Sequence, residues 1–260
     1  MTWAALRGKW VFLVGPVVIL GVWELLSRTE ILRPTFFPPP TAIIARSSIV
    51  FEAGRDGILD DIGITVLRVL ITIVLAVVLG VGIGIAVTAS RWTERGMGTM
   101  MAFIYPIPGV LFFPFLAFIL GRSEFAVLMT ALVTPLVVMV IYTIAGVRDI
   151  QPVYLEVARN YGSRGIRFFL RVILPGALPS IVTGIRISLG FSLIAVIAIE
   201  MVGAQDGLGR FLWSNWQILR VTDMYVALLC IAVLGLLTSV GFDAVADRLM
   251  PWRTEFRSGS

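Results

Sequence analysis

The chain has 260 residues, of which 58% are hydrophobic and 14% are charged, whereas a soluble domain carries roughly 25% charged residues. This composition excludes an ordinary soluble protein and indicates an integral membrane protein. The formal net charge is +5, but the arginines are scattered between apolar runs, so they fit membrane topology better than a nucleic-acid partner.

Few side chains could carry chemistry. The sequence has no histidine, and Cys230 and Lys9 are its only cysteine and lysine. Disulfides, cysteine-rich zinc sites and histidine-based triads or proton relays are therefore excluded. Cys230 lies inside an apolar run, which favours a small buried hydrophobe over a reactive thiol. We expect no metal and no cofactor in this chain.

Six apolar windows each have about the 17 to 25 residues that a helix needs to cross a bilayer core. The first window is followed by Arg28-Thr29-Glu30 without a small-residue cleavage site, so we expect a retained helix instead of a signal peptide. Together the windows predict an all-α integral membrane fold with six transmembrane helices. They are Trp10–Leu26, Ile64–Val87, Met97–Leu120, Phe125–Val147, Ala177–Val202 and Met224–Val245.

An even number of crossings places both termini on one side of the membrane. With the termini inside, the inner segments carry more Lys and Arg than the outer ones, which predicts cytoplasmic termini. The chain then divides into the first crossing with a long outer connection (1–62), a core of five crossings (63–250) and a tail (251–260). In the outer connection we expect a short surface helix with Thr41 as its N-cap.

Two glycines in the second window have the spacing that lets helices approach closely. Gly80 and Gly84 form a Gly-xxx-Gly pair. The pair predicts either close packing within one subunit or, alternatively, a dimer contact.

Prolines interrupt the next two windows. Pro106, Pro108 and Pro114 lie in the third window and Pro135 lies in the fourth, so we expect neither to be an uninterrupted helix. Three prolines within nine residues favour a pathway-lining role for the third crossing. For Pro135 a tolerated kink is the alternative.

The cytoplasmic loop between the fourth and fifth crossings, residues 148–175, begins with a predicted short helix. Pro152 suits the first helical position and Gly162 suits a C-terminal cap. At 100° per residue the segment has one apolar face and one polar face. We expect the apolar face to pack on a partner or, alternatively, on this protein's own surface. That face contains Val153, Tyr154, Val157, Ala158 and Tyr161.

A second helix is predicted from near Ser163 to Leu174-Pro175, which is expected to end it. It carries Arg164, Arg167 and Arg171. These arginines could meet anionic lipid head groups or an acidic protein surface, and a charged cytoplasmic face that needs no partner is the third alternative.

A fixed spacing runs through this loop. Glu156-Val157-Ala158 is followed, after three residues, by Gly162 and, after nine more, by Val172-Ile173-Leu174-Pro175. This pattern resembles the EAA motif of binding-protein-dependent ABC importers, whose usual form is Glu-Ala-Ala, three residues, Gly, nine residues, Ile-x-Leu-Pro. Only Val157 and Val172 depart from it, both conservatively in shape.

Other segments extend the resemblance over the chain from about Pro38 onward. They are similar to the nitrate, sulfonate, taurine and bicarbonate group of these permeases. The resemblance implies a type I importer permease in the bacterial inner membrane that moves a small solute by alternating access. The segments are Tyr105-Pro106-Ile107-Pro108, Thr143-Ile144-Ala145-Gly146-Val147-Arg148, Ala177-Leu178-Pro179, Gly184-Ile185-Arg186, Glu200 with Gly207-Leu208-Gly209, and Pro251-Trp252-Arg253.

The resemblance also implies partners and roles for particular residues. The partners are a periplasmic solute-binding protein, a second permease copy in a homodimer, and two ATPase subunits that bind ATP and Mg²⁺. The residues expected to couple to the ATPase are Glu156, Val157, Ala158, Arg159, Tyr161, Gly162, Leu174 and Pro175. The candidates for the translocation pathway are Tyr105, Pro106, Pro108, Arg186 and Glu200.

The energy source is expected to lie outside this chain. A phosphate-binding loop of the form Gly-x-x-x-x-Gly-Lys-Ser/Thr is absent, because the only lysine, Lys9, is followed by Trp10. We therefore predict that this chain is not an enzyme and that a partner hydrolyses ATP.

Two other function classes compete with this interpretation. An ion-coupled transporter normally places an ionisable relay deep in the membrane, and here only Arg68 and Arg186 lie clearly inside the windows. They are expected to be structural anchors or, if they face a cavity, contacts for an anion. A membrane-embedded enzyme acting on lipid would need a convergent catalytic cluster, which the sequence does not offer; a scaffold is a further alternative.

Overall fold

The computed structural model describes residues 3–52 and 58–249, and those ranges contain helices and no strands. The predicted tail, 251–260, with its Pro251-Trp252-Arg253 segment, lies outside them. A 3₁₀ turn, Gly109–Phe112, precedes α5, and a π turn, Phe169–Ile173, joins α8 to α9. The helices are α1 (Trp3–Arg28), α2 (Pro40–Glu52), α3 (Ile58–Thr88), α4 (Arg91–Ile104), α5 (Phe113–Leu120), α6 (Glu124–Arg148), α7 (Pro152–Asn160), α8 (Gly165–Phe168), α9 (Leu174–Val202), α10 (Leu208–Gln217) and α11 (Val221–Leu249).

Helices occur at all six apolar windows. Among the described residues, α3, α6, the continuous stretch Gly165–Val202 and α11 are each long and apolar enough to cross a membrane. The stretches Trp92–Ile104 and Gly109–Leu120 meet that criterion together. The first window coincides with α1, whose apolar side chains from Val14 to Leu20 are exposed. The chain is an all-α integral membrane protein.

The prolines of the third and fourth windows have different effects. The third window is broken as predicted, because α4 ends at Ile104 and the chain bends by 91° before Gly109. At Pro135 the alternative of a tolerated proline holds, since α6 is one continuous helix. Packing on both sides by α3 and α9 supports α6 there, and the Ser188 hydroxyl donates a hydrogen bond of 3.1 Å to the Pro135 carbonyl.

The core lies where α6 packs between α3 and α9. Gly80 and Gly84 of α3 face Met139 and Thr143 of α6, and a Cβ added to Gly84 would lie 2.6 Å from the Thr143 Cβ. The Gly-xxx-Gly pair therefore serves packing within this chain, which is the first of the two predicted uses.

The outer helix α2 begins at Pro40, so Thr41 lies inside it and is not its N-cap. The Glu24 carboxylate of α1 instead accepts the Thr41 backbone N–H at 3.1 Å and the Thr41 hydroxyl at 2.7 Å. At the other contact of α2, Arg46 forms a bidentate ion pair with Asp223 of α11. These hydrogen bonds raise the pKa of Arg46 above its ordinary value.

Helix α10 was not predicted from the sequence. It follows Gly207 and packs on α9 and α11. Leu208, Phe211 and Leu212 are spaced at i, i+3 and i+4, and the first of them is fully buried. That spacing was a signal for an amphipathic helix, but the segment is shorter than a crossing.

Candidate functional site

The first helix of the loop between the fourth and fifth crossings, α7, has the predicted limits. Pro152 occupies the first turn of the helix, where its missing N–H costs no hydrogen bond. At the other end, Gly162 has φ of +75°, a conformation that glycine adopts without strain. The Gly162 N–H donates to the Arg159 carbonyl and the Ser163 N–H donates to the Ala158 carbonyl, both at 3.0 Å. This pair of bonds is a Schellman motif, so α7 is a rigid, capped element.

The apolar face of α7 is not covered by the described part of the chain. Val153, Tyr154 and Val157 are about half exposed and Tyr161 is 89% exposed, and no residue of α7 is buried. The alternative in which this face packs on the protein's own surface is therefore wrong for the part of the chain that the structure describes. Exposed aromatic and β-branched side chains on one helix face are typical of a docking surface.

The polar residues of α7 divide into two kinds. The Arg159 guanidinium lies 5.7 Å from the centre of the Phe168 ring, and this cation–π contact connects α7 with α8. Glu156 is exposed and has no ion-pair partner among the described residues. Its carboxylate is thus available to a partner.

The second helix does not end at Leu174-Pro175, contrary to the prediction. The helical stretch continues from Gly165 to Val202, and Pro175 lies in the first turn of α9. The π turn Phe169–Ile173 changes the hydrogen-bond register just before the proline, which accommodates its missing N–H. The second helix of the loop is consequently continuous with the fifth crossing.

The base of the loop also contacts the fourth crossing. Gly146 of α6 packs against Ala177 and Ser180 of α9, and the Ile150 side chain lies 3.0 Å from the position a Cβ would take on Gly176. A displacement of α7 would therefore reach α6 and α9 together.

A second polar cluster lies at the opposite end of these helices, around Arg68. The Arg68 side chain is 4% exposed. It donates to both carboxylate oxygens of Glu124 at 2.7 Å, to Glu200 at 2.9 Å and to the Asp206 carbonyl at 2.7 Å. One guanidinium thus connects α3, α6, α9 and the segment before α10.

Glu200 belongs to this cluster and not to an accessible pathway. Its side chain is fully buried, and it accepts hydrogen bonds from the Thr65 hydroxyl at 3.0 Å and from the Gly209 N–H at 2.9 Å. A residue that lines a pathway needs an accessible surface, so Glu200 as a pathway candidate is corrected to a structural anchor. Arg68 is likewise an anchor, because two carboxylates neutralise it.

The remaining pathway candidates do not form one group. Arg186 pairs with Asp243 of α11 at 2.5 Å. It lies 14 residues before Glu200 on α9, or about 21 Å along the helix axis. Tyr105, Pro106 and Pro108 are exposed at the bend of the broken crossing.

Sequence reasoning missed the partners of Arg68. Glu124, Thr65 and Asp206 were not singled out, although a buried arginine in an apolar window requires a carboxylate. Glu124 was recognisable by its position just after Ser123, which caps α6. Its pairing with Arg68, 56 positions away in the sequence, could be recognised only from the fold.

The comparisons with known proteins agree on one family. The model of the binding-protein-dependent transport system inner membrane component matches residues 76–254. The aliphatic sulfonates transport permease SsuC of Escherichia coli K12 is 31% identical over 95% of both chains. The taurine transport permease TauC of the same strain is 29% identical over 92% of this chain and 88% of that protein. The nitrate import permease NrtB of Leptolyngbya laminosa is 26% identical over 90% of this chain and 85% of that protein.

A solved structure has the same fold. An inward-facing structure of the MetNI methionine ABC transporter superposes with a TM-score of 0.66 at 20% identity. The match covers 72% of this chain and 94% of that one.

Proposed function

The chain belongs to the family of binding-protein-dependent transport system inner membrane components, and from this premise we propose that α7 is where a separate ATPase subunit drives transport. The chain is the permease component of an ABC importer and a multi-pass protein of the inner membrane. The observation that carries the proposal is the exposed apolar face of α7, a capped helix that a turn of four residues, 161–164, joins to the helical stretch of the fifth crossing.

The roles of the coupling residues follow from their positions. Val157 and Tyr161 supply apolar contact area, and Glu156 supplies an unpaired carboxylate, for a groove on the ATPase. Ala158, which is partly buried, and Gly162 define the end of α7. Arg159 holds α7 against α8, and Leu174 and Pro175 carry the movement into α9. A rigid element of this kind transmits a displacement that a loose loop would absorb.

The assembly we propose has two copies of this chain and two ATPase subunits. ATP and Mg²⁺ bind to the ATPase, and both termini of this chain face it from the cytoplasm. A solute-binding protein docks on the opposite side, where α2, α10 and the Arg68 cluster lie. The broken crossing supplies the pathway, since Tyr105 lies at its bend and Phe118 of α5 is 90% exposed.

The proposed solute is a small molecule with an anionic head group. The relatives named above transport sulfonates, taurine or nitrate by their names. Of the two arginines inside the apolar windows, the Arg68 side chain is only 4% exposed, whereas that of Arg186 is 46% exposed beside its partner Asp243, so Arg186 is the one proposed to contact the solute. Replacing Arg186 by Gln should raise the KM for the anion without changing ATPase binding.

The coupling role is tested in the complex reconstituted in proteoliposomes with loaded binding protein. Glu156→Lys and Gly162→Val should each reduce transport per ATP hydrolysed by about tenfold, because one reverses a contact charge and the other strains the cap. Glu52→Lys makes the same charge change at an exposed position of α2 and should leave the ratio unchanged. Full coupling in both loop variants would refute the proposal.

A further inference from the structure

Three exposed arginines follow α7, at the start of the stretch Gly165–Val202. Arg164, Arg167 and Arg171 are exposed and form no ion pair with the described residues. The loop over 148–175 contains five arginines and only two acids, Asp149 and Glu156. The proposed role of α7 does not use this excess of positive charge.

The position of the membrane can be derived from the helix contacts. Arg68 binds both Glu124 and Glu200, so these two residues lie at one level near the outer surface. Gly146 contacts Ala177, which gives a second common level. The intervening residues of α6 and α9 rise about 33 Å, close to the roughly 30 Å of a hydrocarbon core.

The arginines lie beyond that second level. Counting from Ala177 at 1.5 Å per residue, Arg171 is about 9 Å and Arg167 about 15 Å into the cytoplasm, and Arg164 directly precedes the first residue of this helical stretch. The head-group layer of one leaflet is only about 5 to 8 Å thick. Arg164 and Arg167 are therefore attached well beyond the lipid head groups and Arg171 at their outer limit, on the side where α7 presents its apolar face.

We propose that Arg164, Arg167 and Arg171 form a second contact with the ATPase subunit, against an acidic surface beside the groove that receives α7. The inference rests on the proposed function. The apolar face of α7 supplies most of the burial, and the arginines set the orientation and raise the association rate, as charges at the rim of an interface do. Ile166 and Leu170, both more than half exposed between the arginines, extend the apolar contact.

The experiment uses the full chain in nanodiscs, with the cognate ATPase subunit titrated as the probe at low and high salt. One set of discs contains only phosphatidylcholine and the other also contains phosphatidylglycerol. The variant Arg164→Glu/Arg167→Glu/Arg171→Glu should weaken ATPase binding by about tenfold or more at low salt. The loss should be equal in both lipids, and the remaining binding should depend little on salt.

A matched variant controls for net charge. Arg33→Glu/Arg122→Glu/Arg210→Glu reverses three exposed arginines at the outer side and should bind the ATPase like the wild type. Replacing the three loop arginines by lysine should keep most of the binding. If the triple glutamate variant does not insert into the membrane, the single variant Arg167→Glu and the salt dependence of wild-type binding test the inference instead. A wild-type Kd for the ATPase that does not change with salt overturns the inference.

Other outcomes separate this inference from the proposed function. A binding defect confined to discs with phosphatidylglycerol would make the arginines a lipid site and overturn the inference. Normal binding by the triple glutamate variant, together with uncoupling by Glu156→Lys, would overturn only the arginine contact. No ATPase binding by the wild-type chain in either lipid would overturn both.

Discussion

At the scale of single residues, Arg68 shows how a charge is kept inside an apolar helix. Among the described residues, the Arg68 guanidinium donates to oxygen atoms of this chain, and two carboxylates compensate its charge. Removing one member of such a group leaves an uncompensated buried charge, which costs about 3 to 5 kcal/mol. The cluster is therefore expected to determine whether the outer ends of α3, α6 and α9 assemble.

The Arg68 cluster gives a prediction for stability. Arg68→Met should lower the free energy of unfolding by about 3 kcal/mol or more, because Glu200 remains buried without its partner. The double variant Arg68→Met/Glu200→Gln should be more stable than the single one, since both buried charges are gone. Thermal unfolding of the purified proteins in detergent measures the stability of both variants. If the loss of stability in the double variant equals the sum of the losses from Arg68→Met and Glu200→Gln, the pairing is contradicted.

The same cluster marks the limit of what could be predicted for single residues. Arg68 was expected to be an anchor or an anion contact, and the sequence alone could not decide. The partners lie 56 and 132 positions away in sequence, so only the packing of α3, α6 and α9 identifies them. The Gly162 cap, in contrast, depends on its own neighbours and was predictable.

At the scale of elements, α3 and α6 approach closely because two glycines remove side chains from their contact. Adding side chains there forces the helices apart, and overpacking of this kind costs about 1 to 3 kcal/mol. Gly82 lies on the same helix between the pair, but a Cβ there meets nothing within 4 Å. The three positions differ in packing and share a backbone conformation.

This difference gives a prediction with an internal control. Gly84→Leu should lower the melting temperature of the detergent-solubilised permease, because its side chain would meet Thr143. Gly82→Leu should have little effect, since the helix propensity of leucine is favourable. Equal melting temperatures for the two variants would show that the α3–α6 contact is not tightly packed.

Local patterns predicted elements well where one signal dominated. Long apolar windows predicted the crossings, and three prolines predicted the broken one. Pro135 is tolerated within α6, and Pro175 does not end its helix as was predicted, because a proline ends a helix only where no neighbouring element or π turn supplies an alternative. The missed α10 is too short for a hydropathy window.

At the scale of the whole molecule, polar contacts occupy both ends of the helix bundle. Arg68 and its partners hold the end where α6 begins, and Arg148 pairs with Glu94 where α6 ends. The loop of α7 and α8 projects beyond the second end. A displacement of this loop would therefore move the adjoining ends of α6 and α9, while the Arg68 cluster holds their opposite ends together.

The orientation of the whole chain gives the last prediction. A cytoplasmic α7 requires that residues on α2 face the other side, because three crossings, formed by α3, by α4 with α5, and by α6, separate α2 from α7. In a Cys230→Ser background, Tyr154→Cys and Ile44→Cys each place one thiol at an exposed position of α7 and α2. A membrane-impermeant maleimide added to intact spheroplasts should label Ile44→Cys and not Tyr154→Cys, whereas lysed cells should show both. Labelling of Tyr154→Cys from outside would invert the topology and remove the ATPase from reach of α7, so this measurement tests orientation independently of transport.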